Sequence, residues 1–474
     1  MMRVRLPPQL RSTVIYLVTI VLAQVTSFLL LPIITRFLDP SAYGDYARAL
    51  AVASLMGMLG SSWIRNVGFR FYFDAKNDGT TRSFYWSLVT LQAGVLAGVF
   101  LIGIALLPRF SADLVALPTL GAAALMIITA DFQALTASFL RAEQQSGKYA
   151  AAEISAGLTR LAGTALGLSL GFTQPSFLFL AAAAASVVGG MVAAASLAGR
   201  LTGPARLDLR AMRLVFGRAP GALPFSLGQW FTRQADRLVL TSYTTSAVVG
   251  TYAAGFGLSD RIVNGLGNAA FLMAWPDVLN AWNEGGAARA RVAIRRYFQI
   301  YLWLTVGPGV AVVVFGDAVV GLLLGPGYGE AAHVLGLVAG ATWLSGIIGG
   351  LNRHFELEKR YYALSSMILA GAALHLVLNL VLVPRYAAVG AGIAFLASQA
   401  ALTVVAVLIR DRRLVSFPTA DAGLLALVAC GGVAGVLLTF GSTLLGFLTF
   451  ALLYALTTAG FWTWRVRRGW SVTG

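Results

Sequence analysis

Arginines lie inside long apolar segments of this 474-residue chain, where a charged side chain is costly. An arginine near the centre of a bilayer costs roughly 2.5–3.5 kcal/mol on insertion scales, so it faces a partner or a wet cavity. Gln229, Arg233 and Arg237 recur every four residues, which places them on one ridge of a helix. Because a guanidinium stays charged and donates paired hydrogen bonds to phosphate oxygens, this pattern predicts a cavity for an anionic group.

Two other apolar segments carry polar residues of the same kind. Arg261 and Asn264 lie on one side of one segment, and Arg48 lies about one helical turn inside the end of another. We therefore predict a set of substrate-binding residues that line a cavity. The members of this set are Arg233, Arg261, Arg237, Arg48, Gln229 and Asn264.

A structural role is the alternative for the same arginines, because carboxylates lie next to them. Asp236 adjoins Arg237 and Asp260 adjoins Arg261, so ion pairs could neutralise both guanidinium groups. Arg48 could instead extend its charged end to the outer membrane interface. The sequence leaves substrate contact and structural pairing open for each of these arginines.

Two acidic residues inside apolar segments are candidates for coupling transport to a proton or a cation. They are Glu153 and Asp131, since an intramembrane carboxylate can bind either ion. Arg160 follows Glu153 by seven residues and shares its helical face. A structural ion pair between Glu153 and Arg160 is therefore the alternative to ion coupling.

The remaining reactive residue types indicate no catalytic or metal site. The three histidines lack metal-ligand spacing, and the single cysteine, Cys430, cannot form a disulfide within the chain. His375 and Asn379 are four residues apart, which predicts a hydrogen-bonded pair within one helix. The sequence contains no G-x-x-x-x-G-K-[ST] loop. We predict a protein that is not an enzyme and has no cofactor, metal or nucleotide.

The segments that hold these residues are apolar enough to cross a membrane. Hydrophobic residues make up 58% of the chain and charged residues 11%, against roughly a quarter charged in soluble domains. The sequence predicts an all-α polytopic membrane protein without a soluble domain, with about 14 transmembrane helices of roughly 20 residues or more. The predicted spans are 13–35, 43–64, 84–107, 114–140, 150–171, 175–198, 219–241, 248–275, 298–324, 331–351, 362–383, 387–409, 421–441 and 443–464.

Basic residues are distributed very unevenly over the loops between these spans. Of the 35 lysines and arginines, 27 fall in the termini and in every second loop, three fall in the opposite loops, and five lie within spans. Cytoplasmic loops carry the excess of lysine and arginine, so both termini are predicted to be cytoplasmic. The net charge of +16 is thereby explained without a nucleic-acid partner.

Weak internal similarity predicts two related halves. A shift of 206 residues aligns Gly44–Ala47 with Gly250–Ala253, and a shift of 212 aligns Tyr149 with Tyr361. Since six spans is an even number, both halves enter the membrane in the same orientation, with a cavity at their interface. The predicted domains are an N-terminal six-helix bundle, 1–205, a C-terminal six-helix bundle, 206–410, and two additional transmembrane helices, 411–474.

Several of these segments resemble one membrane protein family. The run Pro32–Gly44 resembles the end of the first span in polysaccharide (O-antigen-type) flippases of the multidrug/oligosaccharidyl-lipid/polysaccharide exporter superfamily. Further segments that are similar to the family's second-half signatures are Pro224, Asp236-Arg237, Gly250-x-Tyr252 and Pro384–Gly392. The resemblance covers essentially the whole chain. It implies a V-shaped pair of six-helix bundles around a central cavity.

The same resemblance implies a function, a location and partners. The function is translocation of an isoprenoid diphosphate-linked oligosaccharide from the cytoplasmic to the outer leaflet of a bacterial-type inner membrane. The partners are this lipid-linked substrate, the bilayer, a polysaccharide polymerase and glycosyltransferases. An ion-coupled multidrug/cation antiporter is one alternative, and it predicts a cavity lined by carboxylates. A membrane enzyme of polysaccharide assembly is the other, and it predicts a long outer loop that the sequence lacks.

Overall fold

The computed structural model describes residues 8–110, 116–204 and 206–467. Every regular element in these ranges is a helix, which confirms the predicted all-α class. Both chain termini, and residue 205 at the predicted end of the first bundle, lie outside the described residues. By their packing the helices form two compact units, which divide between Gly250 and Thr251.

The first unit contains nine helices that end before its boundary, among the described residues. They are α1 Pro8–Phe37, α2 Pro40–Gly57, α3 Trp63–Asn77, α4 Thr81–Phe110, α5 Leu117–Ala142, α6 Ser146–Ser169, α7 Pro175–Ala198, α8 Leu209–Gly217 and α9 Ala219–Tyr243. The next helix, α10 Ser246–Ser259, begins in the first unit and continues into the second.

The second unit contains the remaining helices. They are α11 Gly265–Val314, α12 Gly316–Leu323, α13 Ala331–Leu351, α14 Arg353–Leu357, α15 Tyr361–Ile409, α16 Thr419–Phe440 and α17 Leu444–Arg467. The division into 1–205, 206–410 and 411–474 describes a sequence repeat rather than packing, and it stays a prediction.

Ten helical stretches of the described residues are long and apolar enough to cross a membrane. Two of them are longer than one bilayer and contain a break: Gly286 in α11 has φ 60°, and Ala387 in α15 has φ 49°. The predicted spans 248–275 and 298–324 lie on either side of Gly286. The helices α6 and α9 are also of spanning length, but their charged residues lower their hydropathy. The exact number of spans stays a prediction.

Aromatic packing joins α3, α4 and α5 in the first unit. The rings of Tyr72 and Tyr85 lie edge-on to Phe139, with centroids 5.1 and 5.2 Å away. The Tyr85 hydroxyl lies 2.9 Å from Oγ1 of Thr136, so its polar end is satisfied inside the core. Each aromatic pair contributes about 0.5–1.5 kcal/mol beyond the area it buries. This packing fixes the helix that carries Asp131, which is α5.

The last two helices pack against α11 in the second unit. Trp303 of α11 stacks on Phe461 of α17 with ring centroids 3.9 Å apart, and the Tyr454 hydroxyl donates to the Trp303 carbonyl at 3.1 Å. Gln299 donates to the buried carboxylate of Asp421 in α16 at 2.7 Å. Buried polar contacts of this kind fix the register of helices that apolar packing alone would let slide.

Two glycines allow α2 and α10 to touch through their backbones. A Cβ added to Gly44 would lie 1.8 Å from the Ser246 carbonyl oxygen, and one added to Gly250 would lie 1.8 Å from the Pro40 carbonyl oxygen. These are the two glycines that the shift of 206 residues aligns. Small residues permit such close helix contact where lipid supplies no hydrophobic driving force.

We predict that Gly44→Ala lowers the stability of the folded protein. The new methyl group meets backbone rather than a movable side chain, so the helices must separate, at a cost of about 1–3 kcal/mol or more. Thermal unfolding of the purified protein in detergent measures the loss. Gly98→Ala in α4 is the matched control, because nothing lies within 4 Å of its added Cβ. Equal unfolding midpoints for the two variants would contradict the proposed close contact.

Candidate functional site

The candidate residues Gln229, Arg233 and Arg237 lie on α9, which packs against α2 and α3. Trp230 of α9 donates from Nε1 to the Ser54 hydroxyl of α2 at 2.9 Å, and this bond anchors the helix beside the ridge. The Gln229 side chain is exposed and Arg233 is half-buried, whereas Arg237 is buried. The ridge therefore runs from an accessible end to a buried end.

Arg237 is held by its own helix. Its Nη1 donates to the Arg233 carbonyl at 2.6 Å and to Oε1 of Gln234 at 2.8 Å, and it lies 3.5 Å from Oδ1 of Asp236. Asp236 is fully buried and also accepts from the Arg237 backbone N–H at 2.8 Å. This arrangement is the structural ion pair of Asp236 and Arg237 that the sequence offers as the alternative to substrate contact. The Arg237 side chain thus supports α9 and the position of Arg233.

Arg48 lies on α2, half-buried, and pairs with Asp45 one turn earlier. Its Nε is buried and, among the described residues, has no hydrogen-bond partner. A buried donor without an acceptor is costly, and this N–H has no contact with solvent. Asp45 itself is partly exposed, with 44% of its side chain accessible.

Arg261 and Asn264 lie in the second unit, in a short π-helical turn, Asp260–Asn264, between α10 and α11. Arg261 donates from Nη1 to the Gly257 carbonyl at 2.9 Å, and both side chains are half-buried. A second π-turn, Met58–Ser62, follows α2 in the first unit. Such turns insert one extra residue into a helix and occur frequently at functional sites. The two π-turns follow the two helices that the repeat predicts to be equivalent.

Asp131 on α5 contacts the π-turn of the first unit. It accepts hydrogen bonds from the Ser61 hydroxyl and from Arg65, whose Nη1 lies 3.4 Å from Asp131 Oδ1. The carboxylate is only 15% exposed and Arg65 is 29% exposed. Arg65 directly follows the predicted span 43–64, and this position is its only signal in the sequence as a partner of Asp131. The candidate coupling carboxylate therefore belongs to a polar cluster, Ser61–Asp131–Arg65.

Glu153 lies in a different environment on α6. Among the described residues no ion pair joins it to Arg160. One turn before it, Tyr149 packs against Tyr16 with ring centroids 5.4 Å apart and beneath the guanidinium of Arg141 at 5.5 Å. The predicted alternative of a Glu153–Arg160 pair is wrong for this structure.

The predicted pair of His375 and Asn379 is confirmed. Both side chains are fully buried in α15. Nδ2 of Asn379 donates to the His375 carbonyl at 2.9 Å and lies 3.2 Å from Nε2 of its ring. Ser398, on the other side of the break at Ala387, lies 3.4 Å from the other ring nitrogen, so the cluster joins the two parts of α15. No group of three or more metal-binding side chains was found among the described residues.

Comparison with known proteins gives one family and several structural neighbours. A family model described as "Polysaccharide biosynthesis protein" matches residues 10–274, which is more than half of the chain. The probable low-salt glycan biosynthesis flippase Agl15 of Haloferax volcanii is 23% identical over 283 residues, 59% of this chain. The aligned part spans 58% of the length of that relative.

The solved structures that match show the fold. The lipid II flippase MurJ, in an inward closed conformation, matches with a TM-score of 0.74 and 11% identity, over 96% of this chain and 100% of that chain. An inward-facing multidrug resistance MATE family transporter of the MOP superfamily matches with a TM-score of 0.59 and 14% identity, over 81% of this chain and 93% of that chain. At such low identity these matches establish the architecture and nothing more.

Proposed function

Because this chain belongs to the family of polysaccharide biosynthesis proteins, we propose that it is a flippase for a lipid-linked oligosaccharide. Its cargo would be an isoprenoid diphosphate-linked oligosaccharide, moved from the cytoplasmic to the outer leaflet as a cell-surface polysaccharide is built. The relative named a glycan biosynthesis flippase and the fold shared with a lipid II flippase support this proposal. The observation that carries it is the set of arginines inside membrane-length helices.

The charge of the cargo explains why arginines are used. A diphosphate cannot enter hydrocarbon unless its charge is neutralised, because the desolvation penalty of an ion is several kcal/mol or more. A half-buried arginine such as Arg233 replaces the lost water with a forked pair of hydrogen bonds. The half-buried guanidinium of Arg48 is a further donor group.

The candidate residues take different roles in this proposal. Arg233 and Arg48 contact the diphosphate, and Gln229, exposed at the end of the same ridge, bonds glycan hydroxyls. Arg237 positions Arg233 through the bond to its carbonyl. Arg261 and Asn264, in the π-turn of the second unit, contribute a further charge and an amide. No bond is broken in the cargo, so the proposal contains no enzymatic step.

The orientation follows from the uneven basic residues. With 27 of the 35 lysines and arginines on one side, both termini face the cytoplasm of a bacterial-type inner membrane. The cargo is loaded from that side, where glycosyltransferases assemble it, and a polymerase takes it from the outer side. These enzymes are the proposed partners.

Energy for transport is proposed to enter at Asp131 rather than at Glu153. Asp131 is bonded to the Ser61 hydroxyl inside a π-turn, so binding of a proton or cation would change contacts between α5 and the end of α2. Glu153 has no comparable bond among the contacts of the described residues. Ion-coupled export of drugs is the second candidate function, and the fold shared with a multidrug transporter favours it. Half-buried arginines disfavour it, since they repel cations.

We expect Arg233→Ala to insert normally but to reduce cargo transport by about tenfold or more, because a forked contact to the diphosphate is lost. Surface polysaccharide should fall while lipid-linked repeat units accumulate inside the cell. Lysine at this position should restore transport only partly, since its ammonium cannot form the fork. Both quantities are measured by extraction of the lipid fraction and gel analysis of the polymer.

The matched control for this experiment is Arg160→Ala. Arg160 is also a half-buried arginine in a spanning-length helix of the first unit, but it is not in the predicted substrate-binding set. Normal polymer from Arg160→Ala together with loss in Arg233→Ala supports the proposal. Normal polymer from both Arg233→Ala and Arg261→Ala would refute the role of arginine in binding the cargo.

We expect Asp131→Asn to remove the dependence of transport on an ion gradient. The amide keeps the size of the side chain and its bond to Ser61 but binds neither a proton nor a cation. Reconstituted vesicles with an imposed proton or sodium gradient measure the stimulation of transport. Glu153→Gln is the control and should keep full stimulation. Gradient-driven transport that persists in Asp131→Asn would show that coupling lies elsewhere.

A further inference from the structure

A polar cavity of about 620 Å³, open to solvent, lies at the surface of the first unit, where α3, α5 and α7 end and α4 and α6 begin. None of the residues proposed above to bind the cargo lines it. The lining residues that matter here are Lys76, Thr81, Glu143, Lys148, Arg200 and Thr202. We call this space the basic cavity.

The charges of the basic cavity are three cations against one carboxylate. Glu143 is already engaged, because it accepts hydrogen bonds from the Tyr72 hydroxyl and from Nζ of Lys76 at 2.8 Å. Its negative charge is therefore neutralised by Lys76. An excess of positive charge remains for whatever enters.

Two of the cations keep donors that the protein does not use. Nζ of Lys148 donates to the Ser196 carbonyl at 3.2 Å, which occupies one of its three N–H groups. The guanidinium of Arg200 makes no hydrogen bond or ion pair with any described residue. Both side chains are exposed to the cavity and to solvent, so an anion can reach them.

Hydrogen bonds fix the segment that follows α7 to the start of α4. These bonds define the shape of the cavity. The Thr202 N–H donates to Oγ1 of Thr81 at 2.9 Å, and the two hydroxyl oxygens lie 3.1 Å apart. The Arg82 N–H donates to the Thr202 carbonyl at 2.9 Å. Gly203 has φ 87°, and a Cβ there would lie 2.5 Å from the Gly79 carbonyl oxygen. Arg200 therefore lies just before Thr202, which hydrogen bonds tie to Thr81 and Arg82 at the start of α4.

We infer that the basic cavity binds a phosphate group, at a site that shares no residue with the proposed cargo-binding set. Lysine and arginine N–H groups around a cavity of fixed shape can donate hydrogen bonds to the oxygens of a phosphate ester. The partial positive charge at the start of the 30-residue helix α4 further attracts an anion. The phosphate belongs either to an anionic lipid of the adjacent leaflet or to a free phosphate ion. All three cations are on the side proposed to be cytoplasmic, where anionic headgroups attract basic segments.

The test uses the full chain, purified in a neutral detergent, and native mass spectrometry of bound ligands. Phosphatidylglycerol, phosphatidylcholine and inorganic phosphate are titrated separately. The variant is Lys148→Gln with Arg200→Gln, and the matched control is Arg412→Gln with Arg413→Gln, which removes two exposed cations after α15. Both variants change exposed side chains, so their unfolding midpoints should match that of the parent.

The Lys148/Arg200 variant should bind phosphatidylglycerol about tenfold more weakly or worse, while the Arg412/Arg413 variant changes less than about twofold. Competition by millimolar inorganic phosphate would assign the site to the free ion, and its absence would assign it to the lipid headgroup. Equal weakening in both variants, or equal parent affinity for phosphatidylcholine and phosphatidylglycerol with no binding of inorganic phosphate, would overturn the inference.

Discussion

The cost of an uncompensated charge in hydrocarbon governs the polar architecture of this protein. Asp236, fully buried, lies next to Arg237, and Asp131 bonds both Ser61 and Arg65. Breaking a buried pair by removing one partner is strongly destabilising. The Asp236–Arg237 contact lies within α9, whereas the Asp131–Arg65 contact joins α5 to α3. Arg233 and Arg48 are half-buried rather than fully buried, and they are the arginines proposed to contact the anionic cargo.

Close backbone packing is the second constraint, and it acts on α2 and α10 and, through α2, on α9. Gly44 and Gly250 let α2 and α10 touch, and α2 also receives the hydrogen bond from Trp230 of α9. The helix with the arginine ridge, α9, is therefore anchored to α2. In turn, α2 packs against α10 so closely that no side chain fits at Gly44 or Gly250. A rigid frame of this kind keeps Arg233 in place while leaving its guanidinium partly accessible.

The sequence predicts the helical class and most helix positions, because long apolar runs and turn residues act locally. It also predicts the pair of His375 and Asn379, which needs only helical spacing. It does not predict the bond of Asp131 to Arg65 or the π-turns, since those depend on how distant helices meet. The basic cavity is not predicted for the same reason: Lys76 lies near the end of α3, Lys148 near the start of α6 and Arg200 after α7, far apart in the sequence.

The central claim is that the protein recognises the charged diphosphate of a lipid-linked glycan. It is tested most directly by leaflet exchange in vesicles that contain the purified protein and either a diphosphate-linked oligosaccharide or the same glycan on a neutral lipid. The appearance of glycan at the opposite surface is followed with a lectin that cannot cross the bilayer. We expect the protein to accelerate exchange of the diphosphate-linked glycan only. Equal rates for the two lipids, or rates equal to those of protein-free vesicles, would contradict the account.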